Sequence, residues 1–148
     1  MNLISIVIVS DGNQERTQKC INALGDKDIW VIEPNVECQY KNVTTAYLGD
    51  LTHHEALEEG GRLSDSFYIV FMDNNTHVEV DFARIIQHMQ VNGYASSCVG
   101  LGTGWVNFND KFFVWSRGVF NRSGVSEEAF SSAPSKGFRN VWVELPHY

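Results

Sequence analysis

Asp11, Glu33 and Asp73 are three carboxylates in the same kind of place. Each lies just past a short apolar run: Leu3 to Val9, Ile29 to Ile32, and Phe67 to Met72. Runs of branched and aromatic residues with no polar alternation read as strands buried on both faces. If those strands are parallel, their C-terminal ends share one edge of an open sheet, the edge where α/β folds bind ligands. Acids gathered there suit the base and ribose of a nucleotide, and a divalent ion that screens phosphate charge. Asp73 and Asn75 stand two apart and turn toward one ligand if the loop keeps period two. Asp73-Asn74-Asn75 is equally good turn chemistry after any strand, and that reading stays open.

Other reactive types are less ordered. His53, His54 and Glu55 open a helix at adjacent positions, without the i,i+4 spacing of a helical metal pair. The start of that helix is still a favourable place for phosphate. His147 stands near the end of the sequence, as solvated surface or as a metal ligand. Gly100, Gly102 and Gly104 form GxGxG, which is not a dinucleotide fingerprint, and read as a flexible loop. No phosphate-loop lysine motif is present, and no serine or cysteine sits in a nucleophile elbow.

The elements that must position these groups follow in order. After the first strand, Asn13 caps a helix whose Thr17, Cys20, Ile21 and Leu24 share a face, and Gly25 stops it. A short strand is expected over Val43 to Leu48. Thr52 and Glu55 have capping-box spacing, and Gly60-Gly61 is expected to end the helix they open. Asp81 caps a helix with Phe82, Ile85, Ile86 and Met89 on one side, stopped by Gly93. Strands are expected over Ala95 to Leu101, Lys111 to Trp115 and Val141 to Leu145. A short helix is expected over Val119 to Arg122, ended by Gly124. Ser126 to Phe130 reads as exposed and Ser131 to Gly137 as loop. The order gives an α/β fold, a mostly parallel sheet flanked by helices in a single compact domain.

Composition sets bounds. A chain of 148 residues, 43% hydrophobic and 20% charged, is one globular domain with a real core. A net charge of -7 argues against a broad grip on nucleic acid, which needs many cations on phosphates. Cys20, Cys38 and Cys98 are odd in number and unpaired in spacing, the pattern of a reducing, cytoplasmic compartment. The opening apolar run is too short to span a membrane and lacks a signal-peptide pattern, so no membrane segment is expected.

The order of these features resembles a family-2-type glycosyltransferase with the GT-A fold. Ser5 to Asn13 followed by Cys20 to Leu24 resembles the family's opening strand, loop and first helix. Val31 to Asn35 resembles its second strand, where an acid, here Glu33, meets the nucleobase. Phe67 to Asn75 resembles the strand that carries the DxD motif. Trp115 to Gly124 resembles an Arg-bearing strand leading to a short helix and glycine. Lys136 to His147 resembles the closing strand and its metal-side histidine. The resemblance implies a GT-A (nucleotide-diphospho-sugar transferase) domain with a nucleotide-binding half, residues 1–93, and an acceptor-side half, residues 94–148. It implies a transferase that moves a sugar from a nucleotide-sugar donor to an unknown acceptor. Ser10, Asp11, Asn13, Glu33, Asp73 and Arg117 would bind the donor nucleotide. Asp73, Asn75 and His147 would hold Mn²⁺ or Mg²⁺ on the diphosphate. Glu127 or Glu128 would be the catalytic base. Asn75 stands where the family has its second acid, and a neutral amide is a weaker ligand for a hard cation. A second reading therefore stands beside the first: a non-catalytic GT-A-like binding or structural module. A third, a nucleotidyltransferase, lacks a Gly-rich, basic loop after the first strand.

Overall fold

The structure, a computed structural model, describes residues 2–41, 43–74, 81–91, 96–101, 112–138 and 140–145, with the backbone alone at 96–101, 127 and 140–145. Strand β1 (Asn2–Val9) is followed by helix α1 (Gln14–Leu24), β2 (Ile29–Glu33), β3 (Thr44–Tyr47), α2 (His53–Leu63), β4 (Ser66–Asp73) and α3 (Phe82–Val91). Then come β5 (Ser96–Leu101), β6 (Phe112–Ser116), α4 (Arg117–Ser123), α5 (Glu127–Ser132), a 3-10 turn over Ala133–Lys136 and β7 (Asn140–Leu145). Among the described residues the seven strands form one sheet, in the order β3-β2-β1-β4-β6-β5-β7. β6 runs antiparallel to both its neighbours, and every other pair is parallel.

The apolar runs become central strands because both faces of the sheet are covered. Ile6, Ile8, Val70 and Met72 point to one face, where Cys20, Ile21 and Leu24 of α1 and Ile85, Ile86 and Met89 of α3 close the core. Val7, Ile69 and Phe71 point to the other, with Ala56 and Leu57 of α2, Val119 of α4 and Phe130 of α5. Phe71 stacks on Phe113 with ring centroids 4.8 Å apart. Each fully buried side chain of this kind contributes about 1.5–3 kcal/mol, so β1 and β4, in the middle of the sheet, anchor the fold.

The helix signals hold at most ends. Asn13 caps α1 by accepting from Arg16 N–H at 3.0 Å, and Gly25 closes it at φ 71°. Thr52 and Glu55 form a reciprocal capping box on α2. Asp81 accepts from Arg84 N–H at 3.1 Å ahead of α3. Gly124 follows α4, which starts at Arg117 rather than Val119 because the Ser116 hydroxyl caps it.

Three expectations are corrected. Gly60 and Gly61 do not end α2, which runs on to Leu63. They are buried contact points: a Cβ on Gly60 would lie 2.2 Å from Val7 Cγ1, and one on Gly61 2.3 Å from Phe120 Cε2. Ser126 to Phe130 is not an exposed stretch, since Ala129 and Phe130 of α5 are buried and Ser126 caps that helix. Ser131 to Gly137 continues it and then forms the 3-10 turn, rather than a loop. Gly93, Gly102 and Gly104 lie outside the described residues.

Candidate functional site at the carboxyl edge of the sheet

Parallel pairing of β2, β1 and β4 brings their C-terminal ends to one edge. Val9 of β1 pairs with Asp73 of β4, and Val9 with Ile32 of β2. Ser10 N–H continues the alignment by donating to Ile32 carbonyl at 3.0 Å. Asp11, Glu33 and Asp73 therefore share that edge, as their positions past the apolar runs predict.

The loop after β1 is built by its own side chains. Ser10 is buried, accepts from Gly12 N–H at 3.1 Å and lies 3.0 Å from the Thr17 hydroxyl. Asp11 Oδ1 accepts from Asn13 N–H at 2.9 Å, and its Oδ2 meets Arg16 Nη1 at 2.7 Å. Asn13 spends its side-chain oxygen on the α1 cap.

Asn74 ties this loop to β4. Its Nδ2 donates to Asp11 Oδ1 at 2.7 Å and to Thr17 Oγ1 at 2.8 Å, so both amide hydrogens are used. The side chain is 1% exposed. Its hydrogen bond is the largest influence holding the Asp11 carboxyl below its ordinary pKa, with Asn13 N–H and the Arg16 charge acting the same way against the cost of burial. The sequence reading passed over Asn74. The signal was available only as a polar residue directly after a buried strand, which also describes any turn.

Glu33 is fully buried at the end of β2. Asn35 N–H donates to its Oε1 at 3.0 Å, and the Tyr40 hydroxyl donates to its Oε2. Burial first, and the neighbouring Glu33 second, push the Tyr40 phenol above its ordinary pKa. Asp73 closes β4 half-buried. Its charge adds to the larger effect of burial in pushing the Cys20 thiol up to about 12.

Arg117 is not brought to this edge. β6 is antiparallel to β4, so Ser116 pairs with Tyr68 near the opposite, amino end of the sheet. Tyr68 lies five residues, roughly 16–17 Å, from Asp73 along the strand. The guanidinium is spent there: Nε donates to Ser66 carbonyl at 2.8 Å, Nη1 to Gly61 carbonyl at 2.6 Å, and Nη2 to Ser64 carbonyl at 3.0 Å. It clamps the turn between α2 and β4, and burial lowers its pKa. A residue held this way does not reach a nucleotide at the carboxyl edge.

Glu128 is exposed in the first turn of α5, a helix on the α2-covered face of the sheet. The Glu127 side chain, Asn75 and His147 lie outside the described residues. His54 sits 3.6 Å from Glu58 on the surface of α2, and Glu55 is occupied by the capping box. Among the described residues no three His, Cys, Asp or Glu side chains come together to hold a metal ion. Of the expected ligands, Asp73 alone is described, and one carboxylate does not make a site for a hard cation, which takes about six oxygens. Among the described residues, Cys20 and Cys38 are buried and joined in no disulfide. No helix among the described residues is long and apolar enough to cross a membrane.

No protein-family model matches the sequence, and no curated protein matches it. Solved structures do. The mannosyltransferase PcManGT from Pyrobaculum calidifontis, in complex with GDP-Man and Mn²⁺, superposes with TM-score 0.73 at 11% identity over 97% of this chain and 55% of its own. The fold is GT-A-like. The glycosyltransferase GlyE of Streptococcus pneumoniae superposes at 0.60 with 10% identity, over 98% of this chain and 45% of its own. The 4-diphosphocytidyl-2C-methyl-D-erythritol synthase of Anaerococcus prevotii gives 0.63 with 10% identity, over 98% and 88%. The chain thus spans about half of each of these two glycosyltransferases and most of the cytidylyl enzyme. Neighbours of both kinds are transferases, and this chain has their kind of fold.

Proposed function

We propose that this chain is a glycosyltransferase that binds a nucleotide-sugar donor at the carboxyl edge of its sheet and passes the sugar to an acceptor. The observation that carries the reading is the Asn74 tie, which fixes the loop bearing Asp11 against the end of β4 bearing Asp73. The tie holds the two acid-bearing turns together as one unit. Ser10, Asp11, Asn13 and Glu33 would hold the nucleoside part. Asp73 would face the diphosphate, and a divalent ion, Mn²⁺ or Mg²⁺, would meet it there with Asn75 and His147 completing the ligand set. Such an ion supplies positive charge to the leaving diphosphate. Glu127 or Glu128 would take the acceptor proton, given hydrogen-bond reach. Residues 1–93 would form the donor half and 94–148 the acceptor half. Buried cysteines in no disulfide fit the cytoplasmic, reducing compartment that we assign.

A second reading, a module that keeps the pocket without catalysis, is favoured by Glu33, whose two oxygens already have partners inside the chain. Calorimetric titration separates the parts. Wild type is expected to bind one of the UDP-, GDP-, CMP- or dTDP-linked sugars in a Mn²⁺-dependent way. Asp73→Ala is expected to lose that binding while keeping its circular dichroism and melting temperature. Undiminished binding by Asp73→Ala removes Asp73 from its role. Binding without release of free nucleotide in the presence of acceptor candidates favours the second reading.

A further inference from the structure

Glu33 is withdrawn from water, which a carboxylate tolerates only with hydrogen-bond partners. One partner, Tyr40, arrives from outside the sheet, on the segment between β2 and β3. Its ring packs half-buried against the core under α1. Its hydroxyl also lies beside those of Ser10 and Thr17, the same residues that shape the loop after β1. Tyr40 thus fills the space between the two acids' loops.

The segment that carries it is anchored at the buried Cys38 and held more lightly on either side of Tyr40. Gln14 Nε2 donates to Gln39 carbonyl at 3.0 Å, and Lys41 N–H donates to Gln18 Oε1 at 3.2 Å, both in solvent. Tyr47 hydroxyl donates to Cys38 carbonyl at 2.7 Å, and the Cys38 thiol donates to Gly12 carbonyl at 3.5 Å. Exposed hydrogen bonds exchange readily for bonds to water and add little net stability. Gln39 and Lys41 are tied to α1 by such bonds, so the strap over 39–41 can lift about the buried Cys38 while the sheet stays intact.

A phenol is a planar six-membered ring with one donor at its edge. A nucleobase that offers a ring N–H presents the same shape and the same donor to a carboxylate. We propose that Tyr40 is a built-in stand-in for the nucleobase: it occupies the base subsite on Glu33 in the free chain, and a nucleotide binds only when the strap lifts and Tyr40 leaves. This rests on reading the carboxyl edge as the nucleotide site. A site open in only a fraction of molecules has its affinity reduced by that fraction, so removing the ring tightens binding.

The test titrates wild type, Tyr40→Phe and Tyr40→Ala with UDP, GDP, CDP, ADP and dTDP in Mn²⁺. Tyr40→Ala is expected to bind at least one of them about tenfold or more tightly than wild type does. Tyr40→Phe, which keeps the ring and loses the bond to Glu33, is expected between the two. If wild type binds a nucleotide and Tyr40→Ala binds it no better, the stand-in is overturned and the donor site remains. If neither binds any of the five, the donor-site reading falls too. Should Tyr40→Ala fail to fold, 3-fluorotyrosine in the wild-type chain gives the answer. Its Tyr40 fluorine signal, assigned by its loss in Tyr40→Phe, is expected to move to a solvent-exposed position on nucleotide saturation. A signal that stays in place overturns the proposal.

Discussion

Asn74 carries two hydrogen bonds in a space 1% open to solvent, and Asp11 and Thr17 both depend on it. Asn74→Ala removes the donor and leaves a buried acceptor short of a partner, at a cost of about 1–3 kcal/mol. Urea denaturation is expected to show that loss near neutral pH. The pH dependence has a definite sign. The folded pKa of Asp11 lies below its ordinary 3.8, so the stability this adds is fully present above 3.8 and lost as the pH falls through the folded value. Asn74→Ala raises that pKa, so the gap between variant and wild type is expected to narrow as the pH falls from about 7 to about 3. A gap that widens would mean Asp11 is not the group Asn74 serves. Arg117 makes the opposite kind of prediction. Arg117→Ala breaks bonds to Ser66, Ser64 and Gly61 and is expected to lose about 2–4 kcal/mol. Nucleotide affinity is expected to be unchanged, because the clamp sits at the far end of the sheet. Weakened nucleotide binding in a folded Arg117→Ala would restore the ligand role the sequence suggested.

The elements were legible wherever a local rule decided them. α1 was read from Asn13, the face of Thr17, Cys20, Ile21 and Leu24, and Gly25, and all of these keep their roles. α3 was read from Phe82, Ile85, Ile86 and Met89 in the same way. Gly60 and Gly61 were misread because a glycine's sequence signal is its freedom to stop a helix, while its use here is the missing Cβ. On an exposed helix Gly→Ala stabilises by roughly 1 kcal/mol. Here Gly60→Ala drives a methyl into Val7 and is expected to destabilise by about 1–3 kcal/mol, measured by thermal or urea unfolding. A stabilised Gly60→Ala would contradict the packing of α2 on β1. α5 was misread because two buried residues, Ala129 and Phe130, among serines and acids give too short a period to detect. Asn74 was passed over because period-two reasoning favours Asp73 and Asn75. What decided its direction was a residue 63 positions earlier in the chain. Arg117 depended on the strand direction of β6, which sequence does not state.

At the scale of the molecule, one antiparallel strand, β6, in an otherwise parallel sheet sorts the chemistry. Parallel pairing keeps the ends of β1, β2 and β4 together, while the reversed β6 sends the Arg117 clamp to the other edge. The order of apolar runs and helices was enough to anticipate a mostly parallel α/β sheet, the resemblance to a family-2-type glycosyltransferase added the GT-A expectation, and the solved neighbours have that fold. The fold alone does not assign a reaction, since transferases of sugar and of cytidylyl groups share it. The central claim is that the carboxyl edge takes a nucleotide-sugar. The direct measurement is the melting temperature of the wild-type chain with UDP-, GDP-, CMP- and dTDP-linked sugars, each with and without Mn²⁺. A ligand that binds only the folded state at about 100 times its Kd adds about 2.7 kcal/mol, a shift of several degrees for a domain of this size. A Mn²⁺-dependent rise for one nucleotide is the predicted result. No rise with any donor, at concentrations up to millimolar, would contradict the donor site in the wild-type chain.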